Sequence, residues 1–388
     1  MTFFQRTGRA RFRPPTATAL LLTVLSALVG TSAHAADRLK LILDDDVPML
    51  HPAQLMALQS PRVDVLGITI VSGSTWRDEN VAHALRMLEI IGRPEVPVVP
   101  GSAFPLVNTE KETERWESLF GKLVFKGPWM KQWVEDTVQT APNYHAHDVV
   151  PDLPEGNPSL EASDEIAANF LIRKVREFPG EVTIIATGPL TNLALAQRLD
   201  PEFAATAKQL IYMGGSINPR QIRDSVSAAQ FAREFINTPR LEFNFRWDPE
   251  AASITLRAPW KKITMIPVDP STATELTPKL VKRMSAAGTP LSKAFKDHLE
   301  TGFPLWDEIA TAVWLDPSII TKSSQLYVDV DTSFSAGYGQ TLSWSEHYQP
   351  GLGEQLQTVV REIDVERLEN MMVELMNRPL QRRTSEQP

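Results

Sequence analysis

The chain has 388 residues, 47 acidic against 39 basic side chains, a formal net charge of −8 and no cysteine. With no basic stripe to offset repulsion, this balance argues against a nucleic-acid partner, and the lack of cysteine rules out a disulfide framework. The length allows a large core, in one big α/β domain or two smaller ones.

The N-terminal segment reads as an address rather than as part of the fold. Arg6, Arg9, Arg11 and Arg13 give a basic start, Ala19 to Val29 is apolar, and Ser32-Ala33-His34-Ala35 supplies small residues for a cut after Ala35. Residues 1–35 are therefore expected to be a secretory signal peptide, too short and wrongly flanked for a lasting span. Its removal takes away four arginines and no acid, leaving about −12 on a periplasmic or secreted protein with no membrane attachment.

Lys40 to Asp46 then reads KLILDDD. Leu41, Ile42 and Leu43 suit a strand buried on both faces of a parallel sheet, ending at the carboxyl edge where α/β folds place their ligands. Three adjacent carboxylates repel one another unless a cation or protons compensate. A hard divalent cation with oxygen ligands is one reading, and a solvated acidic turn is the other. Val63 to Val71 is a second strand. Asn80 to Ile91 carries apolar residues at helical spacing with Gly92 as a stop. Val96 to Val99 is a third strand, followed by a long aromatic, proline-spotted insertion from about Phe104 to Glu161. Helix Ala162 to Phe178, strand Val182 to Ala186, a helix from Asn192 and strand Gln209 to Met213 follow. The alternation predicts an α/β fold with a mostly parallel central sheet and helices on both sides, in a single domain over residues 37–377. Residues 378–388 are expected to form a disordered tail.

Four more segments carry chemistry: Ala186-Thr187-Gly188-Pro189-Leu190-Thr191-Asn192, Met213-Gly214-Gly215, Glu242-Phe243-Asn244 leading into Trp247-Asp248-Pro249-Glu250-Ala251, and Trp306-Asp307-Glu308. Each alone is a weak signal. In this order after LILDDD they resemble the nucleoside hydrolase family of calcium-dependent N-ribosyl hydrolases, over roughly Leu39 to Met376. The resemblance implies a Ca2+ site made by Asp44, Asp46, the Thr187 carbonyl and Asp307, with Asp46 a ligand and Asp44 supporting it. It also implies substrate contacts from Met213, Glu242, Asn244 and Trp247, with the second and third on the ribose hydroxyls. The implied partner is a small-molecule ribosyl substrate, and association of identical copies stays open.

The chain departs from the family pattern where water would be activated. The family continues after Asp-x-Asp with two further aspartates, one a base and one a metal ligand, whereas Asp46 is followed here by Val47-Pro48-Met49-Leu50-His51-Pro52. Trp306 stands where many members have a histidine that protonates the leaving base. His51, with its pKa lowered beside a cation, and Asp45 are the candidate bases. Strand alternation turns Asp45 away from Asp44 and Asp46. Glu308 could orient water, though acids are common at helix starts. His145 and His147 lie in the insertion. Trp76, Trp116, Trp129, Trp133 and Trp306 could stack a base or simply pack. Two readings follow: an exported hydrolase of a ribosyl bond, or a relative that binds ribosyl ligands without turnover.

Overall fold

The apolar run before the aspartates forms β1 (Leu39–Asp45), an inner strand of a nine-stranded sheet. The structure, a computed structural model, describes residues 38–46, 50–135 and 140–379. The expected signal peptide, Val47 to Met49 and, apart from Arg378 and Pro379, the expected tail lie outside those residues. The other strands are β2 (Val63–Ile70), β3 (Val98–Pro100), β4 (Thr183–Ala186), β5 (Gln209–Met213), β6 (Ile263–Ile266), β7 (Ile320–Val330), β8 (Thr341–Trp344) and β9 (Gln355–Ile363). Their order is β3-β2-β1-β4-β5-β6-β9-β7-β8. Every neighbouring pair from β3 to β9 is parallel, while β7 runs antiparallel to both β9 and β8.

Burial on both faces explains the lack of polar alternation in β1. Leu41 and Leu43 enter one core with Ile68, Ile185 and Ile309, while Ile42 enters the other with Ile184, Leu210 and Tyr212. Helices Pro52–Gln59, Arg77–Ile91, Asp307–Leu315 and Val365–Met376 contribute to the first core, and Ala167–Glu177, Thr191–Leu199 and Pro249–Leu256 to the second. The expected single α/β domain with helices on both sides of a mostly parallel sheet is the fold observed.

The strand order reverses between β1 and β4, so the crevice of a doubly wound sheet opens at their carboxyl ends. Asp44 sits level with Thr69 of β2 and Ala186 of β4, which puts the aspartates and the loop after Ala186 at that crevice.

Several boundaries differ from expectation. The helix expected from Asn80 begins at Arg77, with Asp78 and Glu79 in its first turn, and ends as expected at Gly92 (φ 68°). The helix expected from Ala162 begins at Ala167, because Ser163 N donates to Val98 O (2.8 Å) and keeps the chain extended beside β3. The insertion contains a helix, Glu110–Phe120, capped by the Thr109 side chain and led by Glu110 and Glu112.

Candidate active site

Alternation along β1 turns successive aspartates to opposite faces. Asp44 Oδ2 accepts from Thr69 Oγ1 (2.5 Å) and from Asn192 Nδ2 (2.9 Å). Its Oδ1 is buried without a partner. Asp45 points the other way, as expected, and accepts from Gln54 Nε2 at 2.7 Å. Asp46, just past the strand, accepts from the Ser74 backbone N at 2.6 Å and from Ser74 Oγ at 3.2 Å. It is pressed between two glycines: a Cβ on Gly73 would fall 1.9 Å from Asp46 Oδ2, and one on Gly188 would fall 2.9 Å from Oδ1.

Helix Asp307–Leu315 brings two more acids to the same place, and His51, at the start of helix Pro52–Gln59, stands among them. His51 Nδ1 lies 3.4 Å from Asp45 Oδ2, an ion-pair distance rather than a hydrogen bond, and Nε2 lies 3.4 Å from Asp307 Oδ2 and 3.9 Å from Glu308 Oε1. Burial opposes a charged imidazole, but the attraction of Asp45, then Asp307 and Glu308, outweighs it and pushes the pKa of His51 up to about 10. Without a bound ion the shift runs opposite to the lowering expected beside a cation. Burial, with Asp45 adding to it, raises Asp46 to about 8. Burial likewise raises Asp44 to about 7 despite its two hydrogen bonds, and lifts Asp307 and Glu308 above the usual carboxylate range. Asp307 Oδ1 is buried without a partner.

The expected sugar-binding residues are held by the protein itself. Glu242 caps helix Phe243–Trp247: Oε1 accepts from Asn244 N (2.9 Å), and Oε2 from Gly215 N (2.7 Å) and Phe245 N (3.1 Å). Asn244 Nδ2 donates to Thr187 O (2.9 Å) and Met213 O (3.2 Å). Both side chains therefore have protein partners. Glu242 caps helix Phe243–Trp247, and Asn244 joins the end of β4 to the end of β5. Trp247 has no exposed surface and stacks on Trp129, with ring centroids 4.2 Å apart, so it lies behind the crevice rather than in it. Met213 belongs to an apolar cluster with Phe231, Phe235, Phe303 and Trp306, and Trp306 meets Phe231 edge-on at 4.9 Å.

The bonds join into one chain of contacts. Thr187 N donates to Asp44 O, Asn244 to Thr187 and Met213, and Met213 leads to Trp306, which is followed by Asp307. These contacts join the acidic cluster to the Met213–Phe231–Trp306 cluster. Sequence reasoning missed Thr69, Asn192 and Gln54, which with Ser74 hold the aspartates, and Phe231, which supports Trp306. Asn192 lies within the TGPLTN segment, whereas the others have no local signature. Of the other tryptophans named, Trp76, Trp116 and Trp129 are buried packing residues. His145 contacts Glu79 at 2.9 Å rather than this cluster.

A divalent cation shared by Asp45 and Asp307 does not fit beside the His51 ring. Calcium takes six to eight oxygens at about 2.3–2.6 Å. Here His51 lies between Asp45 and Asp307, the Thr187 carbonyl accepts from Asn244, and Asp46 Oδ2 is turned to Ser74. Among the described residues no group of three His, Cys, Asp or Glu side chains is arranged to hold an ion.

Residues 41–370 match the family described as inosine-uridine preferring nucleoside hydrolase. A uridine nucleosidase from Arabidopsis thaliana is 34% identical over 240 residues, covering 61% of this chain and 59% of that one. A pyrimidine-specific ribonucleoside hydrolase from Escherichia coli is 27% identical over 302 residues, 75% of this chain and 82% of its own. A solved purine-preferring ribonucleoside hydrolase from Gardnerella vaginalis shares the fold with a TM-score of 0.65, at 24% identity, over 87% of this chain and 98% of that one.

Proposed function

This chain belongs to the inosine-uridine preferring nucleoside hydrolase family, a family known for a divalent metal, and we propose that it hydrolyses the N-glycosidic bond of ribonucleosides outside the cytoplasm. The names of the Arabidopsis and Escherichia coli relatives make uridine and cytidine the first substrates to test. Residues 1–35 support export, and a mature N-terminus at Ala36 in the exported fraction would test it.

The observation that carries the reading is the meeting of five carboxyl groups, Asp44, Asp45, Asp46, Asp307 and Glu308, with the Met213–Phe231–Trp306 wall at the switch point of the sheet. As the C1′–N bond breaks, positive charge develops on the sugar ring, and a carboxylate ionised beside it favours that state. A flat base packs against the aromatic wall. Asn244, fixed by its bonds to Thr187 and Met213, offers its amide oxygen to a sugar hydroxyl. Asp307, with a buried, unpartnered Oδ1 and with Oδ2 toward His51, whose charge favours the ionised carboxylate against its burial, is the group assigned to hold the attacking water and take its proton. The water oxygen bonds to C1′, one proton stays on the new sugar hydroxyl, and the other ends on the leaving base. The expected roles of His51 as base and of calcium as water activator are not part of this mechanism.

A second reading, a ribosyl-binding protein without turnover, is favoured by one observation: the stretch Val47 to Pro52 holds no carboxylate where the resemblance calls for two. Incubation of the mature protein with uridine, cytidine, inosine and adenosine separates the two. Release of free base supports hydrolysis, and saturable binding without release supports the second reading.

A further inference from the structure

Five carboxyl groups crowd the carboxyl end of β1 and the start of helix Asp307–Leu315, and burial alone would make that crowding costly. In a family known for a divalent metal, the expected relief is an ion. In this chain a side chain stands in that place. The ring of His51 sets one nitrogen toward Asp45 and the other toward Asp307 and Glu308, at 3.4, 3.4 and 3.9 Å. With acidic oxygens at ion-pair distance on both sides, the ring offsets their charge when it is protonated, which a neutral ring cannot do.

An ion and this ring compete for the same space. A cation bound by both Asp45 and Asp307 would have to lie between them at about 2.3–2.6 Å from each, where the ring atoms are. Of the other oxygens nearby, the Thr187 carbonyl accepts from Asn244 and Asp46 Oδ2 from the Ser74 amide. His51 is not a loop residue that happens to be near. Leu50 is buried behind it, and Pro52 starts a helix whose residues are all buried, so the ring is fixed by the fold.

We propose that His51 is the built-in countercation of this acidic cluster, replacing the divalent metal, so that the chain keeps its site assembled and binds its ribosyl ligand without one. The proposal rests on the family assignment for the expectation of a metal, and it stands or falls independently of turnover.

The test needs no substrate at its first step. Chelator-treated wild-type protein is titrated calorimetrically with Ca2+, Mn2+ and Zn2+, and is expected to show no saturable uptake tighter than about 10⁻³ M. His51→Asp, which removes the ring and adds a carboxylate, is expected to gain one Ca2+ per chain, while His51→Asn gains none. Uridine or ribose affinity of the wild type is expected to be the same with and without chelator. Stoichiometric divalent binding by the wild type would overturn the proposal. So would a His51→Asp protein that keeps its circular dichroism spectrum and still takes up no ion. Should that variant fail to fold, the wild-type titration decides alone. Loss of hydrolysis with these outcomes intact would count against the hydrolase reading only.

Discussion

Asn244 Nδ2 donates to the Thr187 carbonyl at 2.9 Å, and this one bond ties helix Phe243–Trp247 to the loop that follows β4. Its other amide hydrogen faces Met213 O at 3.2 Å. A buried side chain thus spans two strand ends at the mouth of the crevice, and both carbonyls depend on it.

Asn244→Ala is therefore expected to cost stability as well as ligand affinity. Two buried carbonyls lose a donor, and leaving such groups unsatisfied costs about 1–3 kcal/mol. Denaturant unfolding should show a loss on that scale, with uridine affinity falling alongside. A variant with wild-type stability would show that the amide does not hold these strand ends together.

Glu242→Ala is expected to act through the fold. The carboxylate accepts from three backbone N–H groups, and loss of a helix cap alone costs about 0.5–2 kcal/mol. The midpoint of thermal unfolding should fall. If stability were untouched and only sugar affinity dropped, Glu242 would be a ligand-binding group after all.

Gly73→Ala and Gly188→Ala each place a methyl group against the Asp46 side chain, at 1.9 and 2.9 Å from its oxygens. The expected result is a folded protein with displaced Asp46, and misplacement by about 1 Å costs activity on the order of 10²-fold. Steady-state rates on the best ribonucleoside, beside an unchanged circular dichroism spectrum, would check this. Full activity in both variants would remove Asp46 from the working site.

The buried aspartates set the pH dependence of stability. Asp44 and Asp46 titrate in the fold at about 7 and about 8, above the ordinary 3.8. Groups raised in this way bind protons more tightly folded than unfolded, so their contribution is complete below pH 4 and is lost as pH rises through about 8. His51, raised from 6.5 to about 10, keeps its contribution below 6.5 and loses it as pH rises through about 10. The thermal midpoint should fall between pH 5 and 9, and Asp46→Asn should flatten that fall. A midpoint that climbs over the same range would contradict these shifts.

Much of the fold was legible because the sequence carries its signals locally. LIL with no polar alternation can only be an inner strand, and Gly92 ends its helix where a left-handed residue is needed. Asp45 turned away from Asp44 as strand alternation dictates. The site was legible only in outline. That Glu242 is spent on a cap, or that Trp247 lies behind the crevice, depends on which strand ends the topology brings together, and a linear motif does not contain that. His51 shows this most clearly. Asp45, six residues before it, raises its pKa most, and Asp307 and Glu308, far away in the chain, add to that rise.

The central claim is that water cleaves a ribosyl C–N bond in this crevice with Asp307 holding the water. The most direct test is uridine hydrolysis by purified mature protein in ¹⁸O-labelled water, with the sugar trapped by borohydride reduction and read by mass spectrometry beside Asp307→Asn. The account predicts label on C1 of the sugar, none in uracil, and a rate lower by about 10²–10⁴-fold in the variant. No label and no free base from uridine, cytidine, inosine or adenosine, or an Asp307→Asn protein as fast as the wild type, would contradict it.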